Sequence, residues 1–175
     1  MRRQGALSLE SVRDTSLEVI AGDSVSEEDK QAMRNIQEKY YAGKYPETLM
    51  QELRGGLDRA FTSPDARFYL YRKGGELITF VRFDYLTASN DNGKHMGSFM
   101  TNPVYEGGAL GQALLEIALN KELVSGPLYA ECDPSLVPFY EKFGFRLLRS
   151  YKDDHGVDTC DIVLEPESES LREAA

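Results

Sequence analysis

An α/β domain with helices on both faces of a sheet is the fold class this sequence predicts, and three observations predict it. Stretches with apolar residues three or four apart alternate with short strand-like runs. The run Glu76 to Tyr85 has apolar residues on both parities, with Leu77, Val81 and Phe83 on one and Ile78 and Phe80 on the other, so both of its faces need cover. The stretch Met96 to Leu119 begins as a strand, turns through Gly107, Gly108 and Gly111, and continues as a helix marked by Leu110, Leu114, Ile117 and Ala118.

The elements follow in order. Residues 1–16 mix charge, Gly and Ser without a period and read as a loose arm, with Leu17 to Ile20 as a first edge strand. Ser26 followed by Asp29 resembles a capping box, Val25 is placed to pack across it, and Met33, Ile36 and Tyr40 predict a helix from about Glu27 to Tyr41. Gly43 and Pro46 break that helix. A second begins near Glu47 with Leu49, Leu53 and Leu57, weakened late by Gly55 and Gly56. Arg67 to Arg72 and Glu76 to Tyr85 form a hairpin around Lys73-Gly74-Gly75. Thr87 to Lys94 reads as a surface connection into a strand from His95 to Thr101.

A helix over Leu110 to Glu122 turns Gln112, Glu116, Asn120 and Lys121 outward and ends at Ser125-Gly126-Pro127. Leu128 to Cys132 is a short strand, and Asp133 to Phe143 supplies a short helix. Phe145 to Tyr151 pairs with Val157 to Leu164 through a turn in which His155 reads as a turn residue. The Glu- and Ser-rich end, 165–175, reads as a disordered acidic tail. The 175 residues thus divide into an arm at 1–16, one domain at 17–164 and the tail; they suffice for one substantial core and are short for two.

Composition narrows the chemistry. With 20 basic and 29 acidic residues the formal charge is −9, which repels a nucleic-acid backbone and slightly favours a cationic acceptor. Cys132, Cys160, His95 and His155 do not form a metal motif, and the two cysteines are expected to pack as small hydrophobes. No apolar run approaches twenty residues and the opening lacks the apolar segment of a secretory signal, so no membrane span is expected and the expected location is cytoplasmic. The glycine turn presents backbone amides to an anion at the start of a helix. Such turns also arise for geometric reasons alone. Without the Lys-Ser/Thr of a P-loop or G-x-G-x-x-G spacing, a nucleotide triphosphatase or a dehydrogenase is disfavoured.

Two segments carry a resemblance. Around the glycine turn, Glu106 stands where the GCN5-related N-acetyltransferase (GNAT) family has Arg or Gln, Ala109 at its first glycine and Gly111 at its second small position; two of the three depart from the pattern. Asp133 to Phe145, with Phe139, Tyr140, Gly144 and Phe145, is similar to the family's segment ending Tyr-Glu-Lys-x-Gly-Phe. The resemblance implies a GNAT-like single domain with a mixed, mostly antiparallel sheet flanked by helices, splayed between the strands ending near Thr101 and Cys132. It implies a pantetheine arm along Phe99, Met100, Thr101, Asn102 and Val104, and a diphosphate over Glu106, Gly107, Gly108, Ala109, Leu110, Gly111 and Gln112. Asp133, Phe139 and Tyr140 complete the cofactor-binding set.

The implied reaction moves an acetyl group from acetyl-CoA, or from another short-chain acyl-CoA, to an amine of a small molecule, peptide or protein, without a metal. Tyr140 is implied as the acid that protonates the departing sulfur, with local packing as its other reading. Glu131 is the candidate base, on the parity opposite Leu128 and Cys132 and shared with Tyr129; the alternative is an exposed carboxylate and nothing more. Tyr40, Tyr41 and Tyr45 either line an acceptor groove or cover the sheet. His95, early in its strand, sits away from the expected thioester. Nucleic acid and membrane are not expected partners, and a homodimer is compatible with the sequence. A second reading is a catalytically inactive GNAT-fold acyl-CoA sensor or protein-interaction module.

Overall fold

The computed structural model describes residues 15–85, 93–105, 107, 109–123 and 126–166. Most of the expected arm and tail, the connection at 86–92, Ser125, and the candidates Glu106 and Gly108 lie outside the described residues. The strands are β1 (Thr15–Ala21), β2 (Ala66–Lys73), β3 (Glu76–Tyr85), β4 (Lys94–Thr101), β5 (Leu128–Cys132), β6 (Arg146–Lys152) and β7 (Asp158–Leu164). They form one sheet in the order β1-β2-β3-β4-β5-β7-β6. Every pairing is antiparallel except β4 with β5, so the sheet is mixed and mostly antiparallel, as the resemblance implies. The helices are α1 (Glu27–Tyr41), α2 (Glu47–Ala60), α3 (Leu110–Glu122) and α4 (Val137–Glu141).

Local chemistry accounts for these bounds. Ser26 Oγ accepts the Asp29 amide at 3.1 Å and so caps α1, a contact worth about 1 kcal/mol. The Asp29 carboxylate takes the Ser26 hydroxyl at 2.8 Å and also reaches across to Arg72, tying the cap to β2. Gly55 and Gly56 do not end α2, because Met50, Leu57 and Ala60 bury one face of it from end to end.

The sheet separates two cores. Val25, Met33, Ile36 and Leu57 of the α1/α2 layer meet Phe68, Leu70, Phe80 and Met100 on one face; Leu114, Leu115 and Ala118 of α3 meet Tyr69, Val81, Phe83 and Met96 on the other. Each of the larger side chains contributes about 1.5–3 kcal/mol by leaving water. The expectation of cover on both faces of β3 is met. One detail of its parity is not: β2 and β3 change register past Ile78, and Leu77 joins the face of Phe80 instead of that of Val81. Cys132 and Cys160 are free, buried, and opposite each other on β5 and β7. Among the described residues, no helix is long and apolar enough to cross a membrane.

Candidate active site

The site begins with a strand that leaves its neighbour. β4 and β5 pair only at Lys94 with Leu128, His95 with Tyr129, and Met96 with Ala130. Beyond Met96, β4 follows β3 to Thr101, while Glu131 and Cys132 stay with β7. The side of Gly97–Thr101 toward β5 is therefore without a strand partner, and its backbone groups face an opening. At the divergence β4 bulges. Phe83 pairs with Met96 and Arg82 with Ser98, so Gly97 is left over. A Cβ there would lie 1.9 Å from Arg82 Nη2, which is why glycine occupies the position. The extra residue reverses the parity: Met96 packs toward α3, and past the bulge Phe99 does so while Met100 faces α1 and α2. Arg82 is buried beneath the bulge, with the Asp84 carboxylate 3.0 Å from its Nε as an ion pair.

Two cavities meet at this opening, of about 330 and 440 Å³. Tyr40, Phe99, Leu136 and Tyr140 border both and so mark their junction.

The second cavity runs past Thr101, Tyr105, Gly107, Gln112 and Phe139 to the start of α3. Ala109 precedes that helix without a side-chain cap, and no acidic residue sits in its first turn. The first intrahelical bond is Ala113 N–H to the Ala109 carbonyl, at 2.9 Å, so the amides of Leu110, Gly111 and Gln112 have no intrahelical acceptor. Together with the helix dipole they suit a phosphate. Gly111 has a nearer reason to be glycine: its Cβ would come 2.5 Å from Thr101 Oγ1 and 3.4 Å from the Phe99 ring, so α3 approaches β4 through it. Among the other sequence candidates, Met100 borders neither cavity, and Asn102 is buried at the strand end with its amide bonded to the Ile78 carbonyl at 2.8 Å. Val104 and Ala109 are exposed, and Leu110 is half-buried.

Tyr140 is held at the junction by the turn that ends α4. Gly144 takes φ +88°, the Phe145 amide donates to the Tyr140 carbonyl at 3.3 Å, and the Gly144 amide donates to Glu141 at 3.0 Å. This pair of bonds is a Schellman ending, completed by the edge contact of Phe145 with the Tyr140 ring at 5.5 Å. The Tyr-Glu-Lys-Phe-Gly-Phe run is thus a device that fixes one phenol. Phe139 stacks on Phe99 across the opening at 6.1 Å. The Tyr140 side chain is 6% exposed, and its hydroxyl makes no hydrogen bond among the described residues. Burial, and after it the neighbouring Cys132, Tyr40 and Tyr41, pushes its pKa well above the usual tyrosine value, so it stays a proton donor.

The first cavity has two kinds of wall. Tyr40 and Tyr41 at the end of α1 stand edge to face with centroids 5.1 Å apart, Tyr45 just beyond is tilted against Tyr41 at 5.2 Å, and the three line it together. Opposite are Glu131, Asp133 and the tip of the β6–β7 hairpin. Glu131 is exposed on the face of β5 that Leu128 and Cys132 do not use, and Tyr151 donates to its Oε1 at 3.0 Å. The same phenol lies 3.0 Å from Asp161, so one proton serves two carboxylates. Asp133 borders this first cavity and caps the short 3-10 turn Pro134–Leu136 through the Ser135 amide, at 2.8 Å. Tyr129 does not reach this cavity; it borders a third hollow of about 160 Å³ with His95 and Asp161, which Glu131 also lines.

Sequence reasoning did not find Tyr151, the Gly97 bulge, or Asp153 and Asp158 of the hairpin tip. Only Gly97, a lone glycine inside a strand pattern, carried a local signal. His155 lies in its turn as expected, but its ring also reaches α2, with Thr48 Oγ1 at 3.1 Å from Nδ1 and Glu52 Oε2 at 2.8 Å from Nε2.

The family model described as an acetyltransferase (GNAT) domain matches residues 26–165. Among solved structures, Escherichia coli ElaA is 20% identical, with 86% of this chain and 99% of that one covered at a TM-score of 0.67. The ribosomal-protein-S18-alanine N-acetyltransferase of Escherichia coli is 15% identical, with 87% and 96% covered at 0.62. The PaiA N-acetyltransferase of Thermoplasma acidophilum, in complex with coenzyme A, is 19% identical, with 83% and 98% covered at 0.56. At these identities the likeness is one of fold. No curated protein matches the sequence.

Proposed function

The chain belongs to the GNAT acetyltransferase family, and we propose that it transfers an acetyl or other short acyl group from acyl-CoA to an amine of a small molecule, peptide or protein. The observation that carries this reading is the unpartnered Tyr140 hydroxyl at the junction of two cavities, beside a strand edge left open by β5.

The residues present fit coenzyme A. The uncapped start of α3 offers amides to its diphosphate, and the open edge at Phe99–Thr101 offers hydrogen-bonding groups to its amide-bearing arm. Bound there, acyl-CoA supplies the activated thioester. Everything else falls to the chain. The tyrosine-walled cavity holds the amine on the other side of the junction, and orientation of this kind accounts for much of the rate advantage of a bound pair. An ammonium is not a nucleophile, so its proton must leave; Glu131 receives it directly or through water, steadied by the Tyr151 hydroxyl. As the nitrogen–carbon bond forms and the carbon–sulfur bond breaks, Tyr140 gives its proton to the sulfur and regains one from solvent. Among the described residues there is no cluster placed to hold a metal ion, and this route calls on none.

Calorimetric titration with acetyl-CoA, followed by mass-spectrometric assay against a broad amine panel, tests the reading. Submicromolar to micromolar binding and acetyl transfer to at least one amine are expected. Binding with no transfer across the panel would favour the acyl-CoA sensor instead.

A further inference from the structure

The first cavity carries more negative charge than an amine acyltransferase requires. One carboxylate is enough to take a proton, yet Glu131, Asp133, Asp153 and Asp158 all border this volume, against Lys44 as the cation among its described lining residues. Lys44 Nζ sits over the ring of Tyr40, 4.0 Å from its centroid, and so leaves these carboxylates without a bonded cation among the described lining residues. The carboxylates are arranged so that structural bonds occupy one oxygen and leave the other. Asp133 Oδ1 takes Ser135, Asp153 Oδ1 takes the His155 and Val157 amides at 2.9 and 2.8 Å, Asp158 Oδ1 takes Lys152 at 2.8 Å, and Glu131 Oε1 takes Tyr151. Glu131 Oε2 and the three Oδ2 atoms have no hydrogen-bond partner among the described residues.

The cavity also has a direction. Tyr140, with its unpartnered hydroxyl, stands at the junction with the second cavity, whereas Asp153 and Asp158 border the first cavity alone and therefore lie away from the reacting end. A ligand whose amine meets Tyr140 and Glu131 extends toward these carboxylates.

Resting on the acyl-transfer reading above, we infer that the acceptor is a linear diamine or polyamine: one amine is acylated at the junction, and a second, still cationic group is held by Asp133, Asp153 and Asp158. Three features favour this small, flexible dication. The cavity, at about 330 Å³, is at the small end of ligand pockets. Its other wall is the tyrosine cluster, whose ring faces attract alkylammonium groups, as the Lys44 ammonium over Tyr40 illustrates, with Tyr41 and Tyr45 beside it. The whole chain, at −9, draws cations toward it.

The test compares acceptors of one length with acetyl-CoA present: 1,5-diaminopentane, pentylamine and 5-aminopentanoate, with a dibasic tripeptide as a further arm. The diamine should exceed pentylamine in kcat/KM by roughly 10-fold to 100-fold, the range for a charge-assisted contact, and 5-aminopentanoate should fall below both. Asp133→Asn keeps the cap, since Asn caps as well as Asp, and deletes only the charge; it and Asp158→Asn should each shrink the diamine-to-monoamine ratio. The preference should also weaken between low and high salt. A ratio near one in the parent, a ratio unchanged in both variants, or a preference confined to the tripeptide overturns the inference while leaving acyl transfer standing. Should no amine be acetylated, calorimetry of the same amines on the CoA complex decides separately: tighter diamine binding supports the dication site although transfer has failed, and equal binding overturns it.

Discussion

The two ends of β4 are made of the same strand and treated in opposite ways. At Lys94 the polar groups are buried and matched. Glu122 closes α3 there with its side chain 1% exposed; it receives the Tyr69 hydroxyl at 2.7 Å and that of Tyr85 at 2.5 Å, and lies 3.1 Å from Lys94 Nζ, which also bonds the Glu122 carbonyl. At Thr101 the same helix starts with three amides that have no intrahelical acceptor, the strand edge is open, and among the described residues the Tyr140 phenol has no partner. One helix and one strand are thus locked together at one end so that they stand apart from β5 at the other. Polar groups satisfied by one another hold the scaffold, and those left over define where a ligand belongs.

The sharpest way to break this contrast is to unlock the closed end. Glu122→Ala leaves Lys94 buried without its countercharge and should cost about 3–5 kcal/mol in denaturant unfolding. Burial pushes the Glu122 carboxyl up, but the bonds from Tyr85, Tyr69 and Lys94 outweigh it and leave the pKa below the ordinary 4.5. Its contribution is therefore present above about pH 4.5 and is lost as pH falls through the lower folded value, so the parent should show an acid-side stability slope that the variant lacks. A loss under about 1 kcal/mol would mean the knot is not the anchor.

At the open end, Tyr140→Phe removes a hydroxyl that makes no hydrogen bond among the described residues. Stability should hardly change, while the acyl-transfer rate should fall roughly 10-fold to 1,000-fold, or about 1.4–4 kcal/mol of barrier. Because the Tyr140 pKa is raised, the parental rate should not decline from loss of this proton below about pH 10. Stopped-flow transfer under chemistry-limited conditions reads both, and an undiminished rate in the variant would reduce Tyr140 to packing.

Gln112→Trp is smaller in effect. The position is exposed on the first turn of α3 and borders the second cavity, so coenzyme A affinity should drop on the order of 10-fold with unfolding within about 0.5 kcal/mol of the parent. Gly111 is a poorer probe, since any side chain there strikes Thr101 before it meets a ligand.

The smallest expected signal is at His95, near the seam between the two ends. Burial lowers its pKa below 6.5, only partly opposed by Glu131 and Asp84. The fold therefore prefers the neutral ring; this stability is complete above about pH 6.5 and is lost as pH falls through the folded value. An NMR titration should place its midpoint below 6.5, and a midpoint above it would show the carboxylates dominating.

Periodicity and caps made the scaffold legible. Ser26 with Met33 and Ile36 marked α1, the alternation Leu128 to Cys132 marked β5, and both lie where those patterns put them. Tyr140, Gly144 and Phe145 were legible as a motif because the turn chemistry that fixes the phenol is local. The bulges past Ile78 and at Gly97 were not, since a one-residue slip depends on what Arg82 and the partner strand do across the sheet. Nor were Tyr151, which bonds Glu131, and Asp153 and Asp158, which line the same cavity, because their place depends on how β6 and β7 fold back beside β5. The connection at 86–92 and the residues Glu106 and Gly108 lie outside the described residues, so for them only the sequence speaks.

Cys132 gives the open end a further property. It borders the first cavity, so on the acyl-transfer reading proposed above a thiol would share space with the amine to be acylated. Thiolates attack thioesters readily, and a reactive cysteine there would capture the acyl group for the protein itself. Burial, followed by Cys160 and Asp133, pushes this thiol up to about 12, which leaves on the order of one molecule in ten thousand as thiolate at pH 8. On that reading the apolar seam between β5 and β7 acts as chemical insulation, sparing the protein from self-modification by the acyl group.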